Sequence, residues 1–204
     1  MPVNLDDYAE TIRDADTLAK RRAALIHQLG WLADEAAALG PLLAALPAWA
    51  VEQAPLPTDL TAKQTFAALA ALDRATYPAW LDSLAADGAP PTLSRPDPLP
   101  GLDTADRPLD ALLQDIRDAR AALEARVAAL DADAWDRPAV LLGLAADGDA
   151  VATDLYGVVL DIVRYDADRL KELAYRMHEA DLRPPTPAPA RRDADTSELP
   201  RKPE

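Results

Sequence analysis

Few residues in this chain combine a charged or reactive side chain with a position that a folded core would enclose. Asp73 falls in a run whose large residues recur at three- and four-residue spacing, with Phe66, Leu69, Thr76, Trp80 and Leu84. Arg120 falls in a second run, with Leu109, Leu112, Ile116, Leu123 and Val127. Tyr165 and Arg169 stand four apart in a third, with Leu155, Val158, Ile162 and Leu173. This spacing draws the buried stripe of an amphipathic helix. A charge on such a stripe is tolerated only when paired and hydrogen-bonded. Asp73, Tyr165, Arg169 and Arg120 are therefore the pocket candidates. One arrangement pairs Arg169 or Arg120 with Asp73 inside the core. A second lets the arginines extend to its edge and meet Asp161, Asp166 or solvent. A third gathers Asp73, Asp161, Asp166 and Glu172 around a hard cation, which an arginine in the same site would oppose.

Other chemistries are poorly supplied. There is no cysteine, which removes disulfides, thiolate metal sites and thiol nucleophiles and fits a reducing, cytoplasmic setting. The two histidines, His27 and His178, lie off the stripes and read as surface residues. No phosphate-binding glycine loop, nucleophile elbow or paired-histidine zinc motif occurs, so no catalytic residue and no cofactor is assigned. A formal net charge of −14 repels phosphate and disfavours nucleic acid and anionic membranes as partners. The opening residues lack the basic and apolar blocks of a secretory signal, and no stretch has the length of a membrane span.

The elements that must position these residues are helical. Half of the residues are hydrophobic, with alanine and leucine dominant, and no run alternates cleanly with period two. Helix one is expected from Asp6 to Leu39, closed by Gly40-Pro41, with a short apolar segment from Pro41 to Val51 after it. Helix two starts near Thr61, capped by Thr58 or Thr61, and is kinked or divided at Pro78. A long connection with Pro90, Pro91, Pro96, Pro98 and Pro100 crosses to helix three, Leu109 to Leu130. It reads as a surface crossover or as the cover of a pocket mouth. The stretch from Asp131 to Gly148 reads as loop anchored by Trp135, and helix four runs from Val151 to Ala180. The expected fold is all-α, an antiparallel four-helix bundle over residues 5–182 with one long crossover, followed by a disordered proline-rich tail over 183–204. Trp31, with Ile12 and Ile26, lies off the main stripe of helix one. It marks a homodimer contact or packs under the Pro41–Val51 segment.

Two segments resemble the DinB superfamily of four-helix bundles. The first runs from Leu60 through Thr61 and Phe66 to Asp73, and the second from Thr153-Asp154-Leu155-Tyr156 to Arg169-Leu170. In that family the first segment carries a metal-binding histidine, with an acid five residues later, and the second carries a histidine pair four residues apart. The matching positions here are Ala68, with Asp73 as the acid, and Tyr165 and Arg169. The resemblance thus implies a family of divalent-metal enzymes, some of them thiol-dependent transferases or hydrolases, and a chain in which all three ligands are replaced. It leaves three readings. One is a non-catalytic small-molecule-binding or stress-related structural protein. Another is a divergent hydrolase or transferase with a rebuilt carboxylate or Tyr/Arg/Asp site. The last is a dimerising interaction module.

Overall fold

The computed structural model describes residues 15–54, 59–142 and 150–182. Helix α1 spans Ala15–Ala44 and a short α2 spans Ala48–Glu52. The second long helix is built in three parts: α3 (Ala62–Ala71), a π-helical turn (Leu72–Thr76) and α4 (Tyr77–Ala85). Helix α5 (Leu109–Ala128) and helix α6 (Leu155–Leu182) complete the bundle. Helix α1 packs against α5 and α6, and α3 packs against the same two, so the first and second long helices face each other across the bundle's diagonal. The start of the expected first helix before Ala15, residues 55–58 with the candidate cap Thr58, and the tail lie outside the described residues.

The first helix passes through Gly40-Pro41 where a stop was expected. A proline deletes one backbone bond but leaves the chain on course when the next turn has something to hold it. Here Leu43 is buried, and Gly40 lies so close to Leu113 that a Cβ would meet Leu113 Cδ1 at 3.3 Å. Thr61 caps α3 in a reciprocal box: its hydroxyl accepts from Gln64 N–H at 3.0 Å, and Gln64 Oε1 accepts from Thr61 N–H at 3.0 Å. Thr61→Ala is expected to cost about 1 kcal/mol, read as a lower denaturant midpoint with an unchanged slope.

Pro78 divides the second helix as its position predicts. It sits in the first turn of α4, where its missing N–H is no loss. The turn just before it widens to the π form, closed by Tyr77 N–H donating to Leu72 O. That wide turn carries Asp73.

Strands were not expected, yet a three-stranded sheet forms at the side of the bundle in the order β1-β2-β3. β1 (Thr92–Leu93) pairs parallel to β2 (Pro138–Leu142), and β2 pairs antiparallel to β3 (Ala150–Asp154). In β2 only Ala139 and Leu141 are buried, but every residue of the strand is apolar, so the period of two is hidden. β3 shows no alternation because neither face is buried, and its residues run straight into the apolar start of α6. Asp154 ends the strand and opens the helix, its Oδ1 accepting from Gly157 N–H at 2.8 Å. The fourth helix therefore begins at Leu155 rather than Val151, and the Asp131–Gly148 region holds a 3₁₀ turn (Ala132–Asp136) and a strand. Trp135 in that turn is buried, with the Arg22 guanidinium 5.7 Å from its ring centroid.

The core separates into two apolar parts. One holds Leu25, Leu29, Leu72, Tyr77, Trp80, Leu123, Val159 and Ile162. The other holds Leu32, Phe66, Leu69, Leu112, Ile116, Leu170 and Leu173. Along each helix the seam falls at one place: between Leu29 and Leu32, Leu69 and Leu72, Ile116 and Leu123, and Ile162 and Leu170.

Candidate functional site: a buried charge cluster at the seam

Arg120, Asp73 and Asp166 occupy this seam, all buried, and Arg120 has no solvent exposure at all. Arg120 projects from the middle of α5. Its Nε donates to Asp73 Oδ2 at 2.8 Å and its Nη2 to Asp73 Oδ1 at 2.9 Å. This two-pronged contact is the strongest geometry that a guanidinium and a carboxylate can adopt. Nη1 donates to the Leu29 backbone carbonyl of α1 at 3.1 Å. Asp166, on α6, places Oδ2 2.7 Å from Arg120 Nη2. That contact is ionic only: neither oxygen of Asp166 receives a directed hydrogen bond among the described residues. One guanidinium thus ties four helical segments together at the level where the apolar core is interrupted.

A second cluster adjoins the first. Arg95 enters from the proline-rich crossover, two residues beyond the buried Leu93 and hence on the same side of the extended chain. Its Nε donates to Tyr77 Oη at 3.1 Å, and its Nη2 to Asp161 Oδ2 at 2.6 Å and to the Asp161 carbonyl at 3.3 Å. The guanidinium carbon lies 4.0 Å from the ring centroid of Tyr165, 5.5 Å from Trp80 and 5.6 Å from Tyr77.

The two clusters hold three buried carboxyl groups, Asp73, Asp166 and Asp161, against two guanidiniums. Burial pushes Asp73 up to about 7 in spite of Arg120 beside it, with the nearby Asp166 charge adding to the rise. Burial also pushes Asp166 and Asp161 up, against the pull of Arg120 and Arg95 respectively. Burial disfavours the charge of Arg120, but Asp166 and Asp73 more than offset it and hold the guanidinium charged. Burial pushes the Tyr77 phenol far above its ordinary range, so it stays neutral and accepts from Arg95. Asp73 and Asp166 share one cation and titrate as a unit. Asp73 accepts two directed bonds from Arg120, while Asp166 meets it at ion-pair distance, and the pair as a whole holds protons to higher pH than two ordinary carboxyls.

The residues singled out from the sequence are distributed unevenly around this site. Asp73 and Arg120 lie at its centre. Tyr165 is half-buried and sits between the two guanidiniums of Arg95 and Arg169, the latter 5.1 Å from its ring centroid. Arg169 stays off the centre: its guanidinium lies over the Tyr165 ring, its side chain is 37% exposed, and it pairs with Glu172 at 3.1 Å. Ala68 is buried on α3. His27 and His178 are exposed. Asp166, Asp161, Arg95 and Tyr77 complete the clusters; the sequence offers the first two as partners for the arginines or as ligands of a hard cation, and does not point to Arg95 or Tyr77. A cleft of 480 Å³ lies elsewhere, at the start of α3, lined by Glu52, Thr61, Lys63, Gln64 and Thr104 among others, and neither Tyr165 nor Arg169 reaches it.

A divalent ion does not fit these residues. Both carboxylates at the seam face a permanently charged guanidinium, and a cation between them would meet that charge at hydrogen-bond distance. Among the described residues no group of three or more histidine, aspartate or glutamate side chains is placed to hold a metal. Nor is any helix among them long and apolar enough to cross a membrane.

No family model matches the chain, and no curated protein matches it. Among solved structures it is similar to YfiT from Bacillus subtilis, described as a probable metal-dependent hydrolase with an unusual four-helix bundle topology. The identity is 17%, the TM-score is 0.56, and the match covers 83% of this chain and 91% of that one. Likeness at this identity speaks to architecture: the chain has the four-helix-bundle fold of YfiT.

Proposed function

We propose that this chain is a DinB-like bundle in which a self-neutralising charge cluster stands where a metal centre would otherwise be, and that it acts without metal chemistry, as a small-molecule-binding or stress-related structural protein. The observation that carries this reading is Arg120, fully buried and bonded to Asp73 on one side and in contact with Asp166 on the other. The register inferred for the family's three ligand positions supports it. Ala68 has no donor atom, Tyr165 is covered by guanidiniums, and Arg169 is a cation. The chain holds two histidines in all.

The test is elemental analysis of the purified protein before and after incubation with zinc, nickel, manganese and magnesium salts, with thermal melts alongside. The expected result is below about a tenth of an ion per chain and an unmoved melting temperature, since an ion that binds only the folded state would raise it. A near-stoichiometric ion with a raised melting temperature would return the chain to the metal-dependent hydrolases. The same reading includes a homodimer through the outer face of α1, supported by the 36% exposure of Trp31. A sedimentation mass that stays monomeric at every concentration would remove that part.

A further inference from the structure

Arg95 differs from every other member of the buried clusters in where it comes from. Tyr77 and Trp80 project from α4, and Asp161 and Tyr165 from α6, all on helices packed into the core. Arg95 alone arrives on the crossover, a segment held beside it by a two-residue strand, by Val140 N–H donating to Pro91 O at 2.9 Å and by the buried side chain of Leu93. Gly88 (φ 149°) and Gly101 (φ 79°) bracket this segment. At Gly101 a Cβ would meet the Ala67 carbonyl oxygen at 2.8 Å, so the chain there depends on glycine. The helical walls of the cluster and the cation inside it are therefore parts that can separate without any helix unfolding.

What those walls offer is specific. Three aromatic rings surround a cation within 6 Å, the arrangement by which proteins hold guanidinium and ammonium groups. Asp161 and the Tyr77 hydroxyl supply acceptors to two separate nitrogens of one planar group. A quaternary ammonium ion has no N–H to give them, whereas a guanidinium satisfies both. Burial raises the cost of leaving Asp161 without a cation, so an open cage would strongly favour a replacement.

We propose that the cage of Tyr77, Trp80, Tyr165 and Asp161 is a binding site for small guanidinium compounds, and that Arg95 is its tethered occupant, exchanged for a free ligand when the crossover lifts. This deepens the small-molecule-binding reading above and is independent of the fate of the metal site, since a metal assay and a ligand titration fail separately.

The experiment titrates ethylguanidinium, the group that truncation of Arg95 removes, into the wild-type protein and into Arg95→Ala at millimolar concentrations, following Trp fluorescence and the melting temperature. Saturable binding is expected in both, about tenfold or more tighter in Arg95→Ala, because the wild type must first release its own guanidinium. Ethylguanidinium should also restore part of the melting temperature lost on truncation. Tetramethylammonium should bind more weakly, and adding Asp161→Asn to Arg95→Ala should abolish binding. Arg95→Gln serves in place of the alanine variant if that one does not fold. Equal affinity in wild type and variant would mean that the ligand binds elsewhere and would overturn the proposal. So would the absence of saturable binding in the variants, or binding to the variants with none to the wild type.

Discussion

Arg120→Met should destabilise the protein by about 3–5 kcal/mol, the loss measured when one partner of a buried ionic group is removed. The substitution keeps much of the side-chain volume, so the loss is electrostatic rather than a cavity effect. It strands Asp73, which accepts two bonds from Arg120, takes from the Leu29 carbonyl the donor it has beside its own helix, and places Asp166 beside Asp73 with no cation between them. Such a loss is a large part of the total stability of an ordinary domain, and denaturant titration at neutral pH measures it. Acid should rescue the variant in part, because protonating both carboxyls removes the unpaired charge. Replacing the whole cluster, with Asp73→Leu and Asp166→Leu added to Arg120→Met, should recover most of the stability, since buried ion clusters exchanged for apolar groups of similar volume are often neutral or better. A triple variant no more stable than the single one would mean that the cluster is needed for packing as well as for charge balance.

The two carboxyls should respond very differently to substitution. Asp73→Ala removes both acceptors of the two-pronged contact and should also cost about 3–5 kcal/mol. Asp166→Asn replaces the carboxyl that receives no directed bond among the described residues by a neutral group of the same shape, and should change stability by less than about 1 kcal/mol at pH 7. The pH dependence follows from the same pair. Burial raises the folded-state pKa of Asp73 to about 7 from an ordinary 3.8, and raises that of Asp166 as well. A carboxyl raised on folding binds more protons in the native state than in the unfolded chain. Its contribution is therefore full below about pH 4 and is lost as pH rises towards 7. The groups that face the pair are Arg120, Arg95, Arg74, Asp161 and Tyr77, and burial raises Asp161 in the same direction. Wild-type stability should therefore decline between about pH 4 and 7, and Asp166→Asn should flatten that decline. An unchanged slope in the variant would remove Asp166 from the titrating pair.

The parts of this site that were legible in the sequence were those that broke a helical pattern. Asp73 and Arg120 interrupt stripes of leucine and isoleucine, so their burial, and the need for a partner, follow from spacing alone. On α6 the pattern misleads by about one residue. Its buried face is wide, with Val159, Ile162, Asp166, Leu170 and Leu173 along the middle, whereas Tyr165 and Arg169 lie half-buried at the edge. The stripe drawn through Leu155, Val158, Ile162, Tyr165 and Arg169 fits the same spacing, because the middle of the true face is taken by Asp166, a charged residue that an apolar pattern steps past to Tyr165 beside it. Arg95 carried no signal. It lies among prolines where no period applies, and only the pairing of β1 with β2 brings it against α4 and α6. The sheet was hidden because β2 is apolar on both faces and β3 is buried on neither.

The most direct test of the account is a carbon-detected NMR titration of the aspartate carboxyl groups, with Asp73, Asp161 and Asp166 assigned through their single asparagine variants. Two buried acids around one guanidinium predict that Asp73 and Asp166 together still hold a substantial share of one proton at pH 7, so that their carboxyl carbons do not both stand at the ionised shift. If Asp73 and Asp166 are both fully ionised at pH 7, the pair carries more negative charge than Arg120 balances, and the claim that the seam closes its charges without a metal would be contradicted.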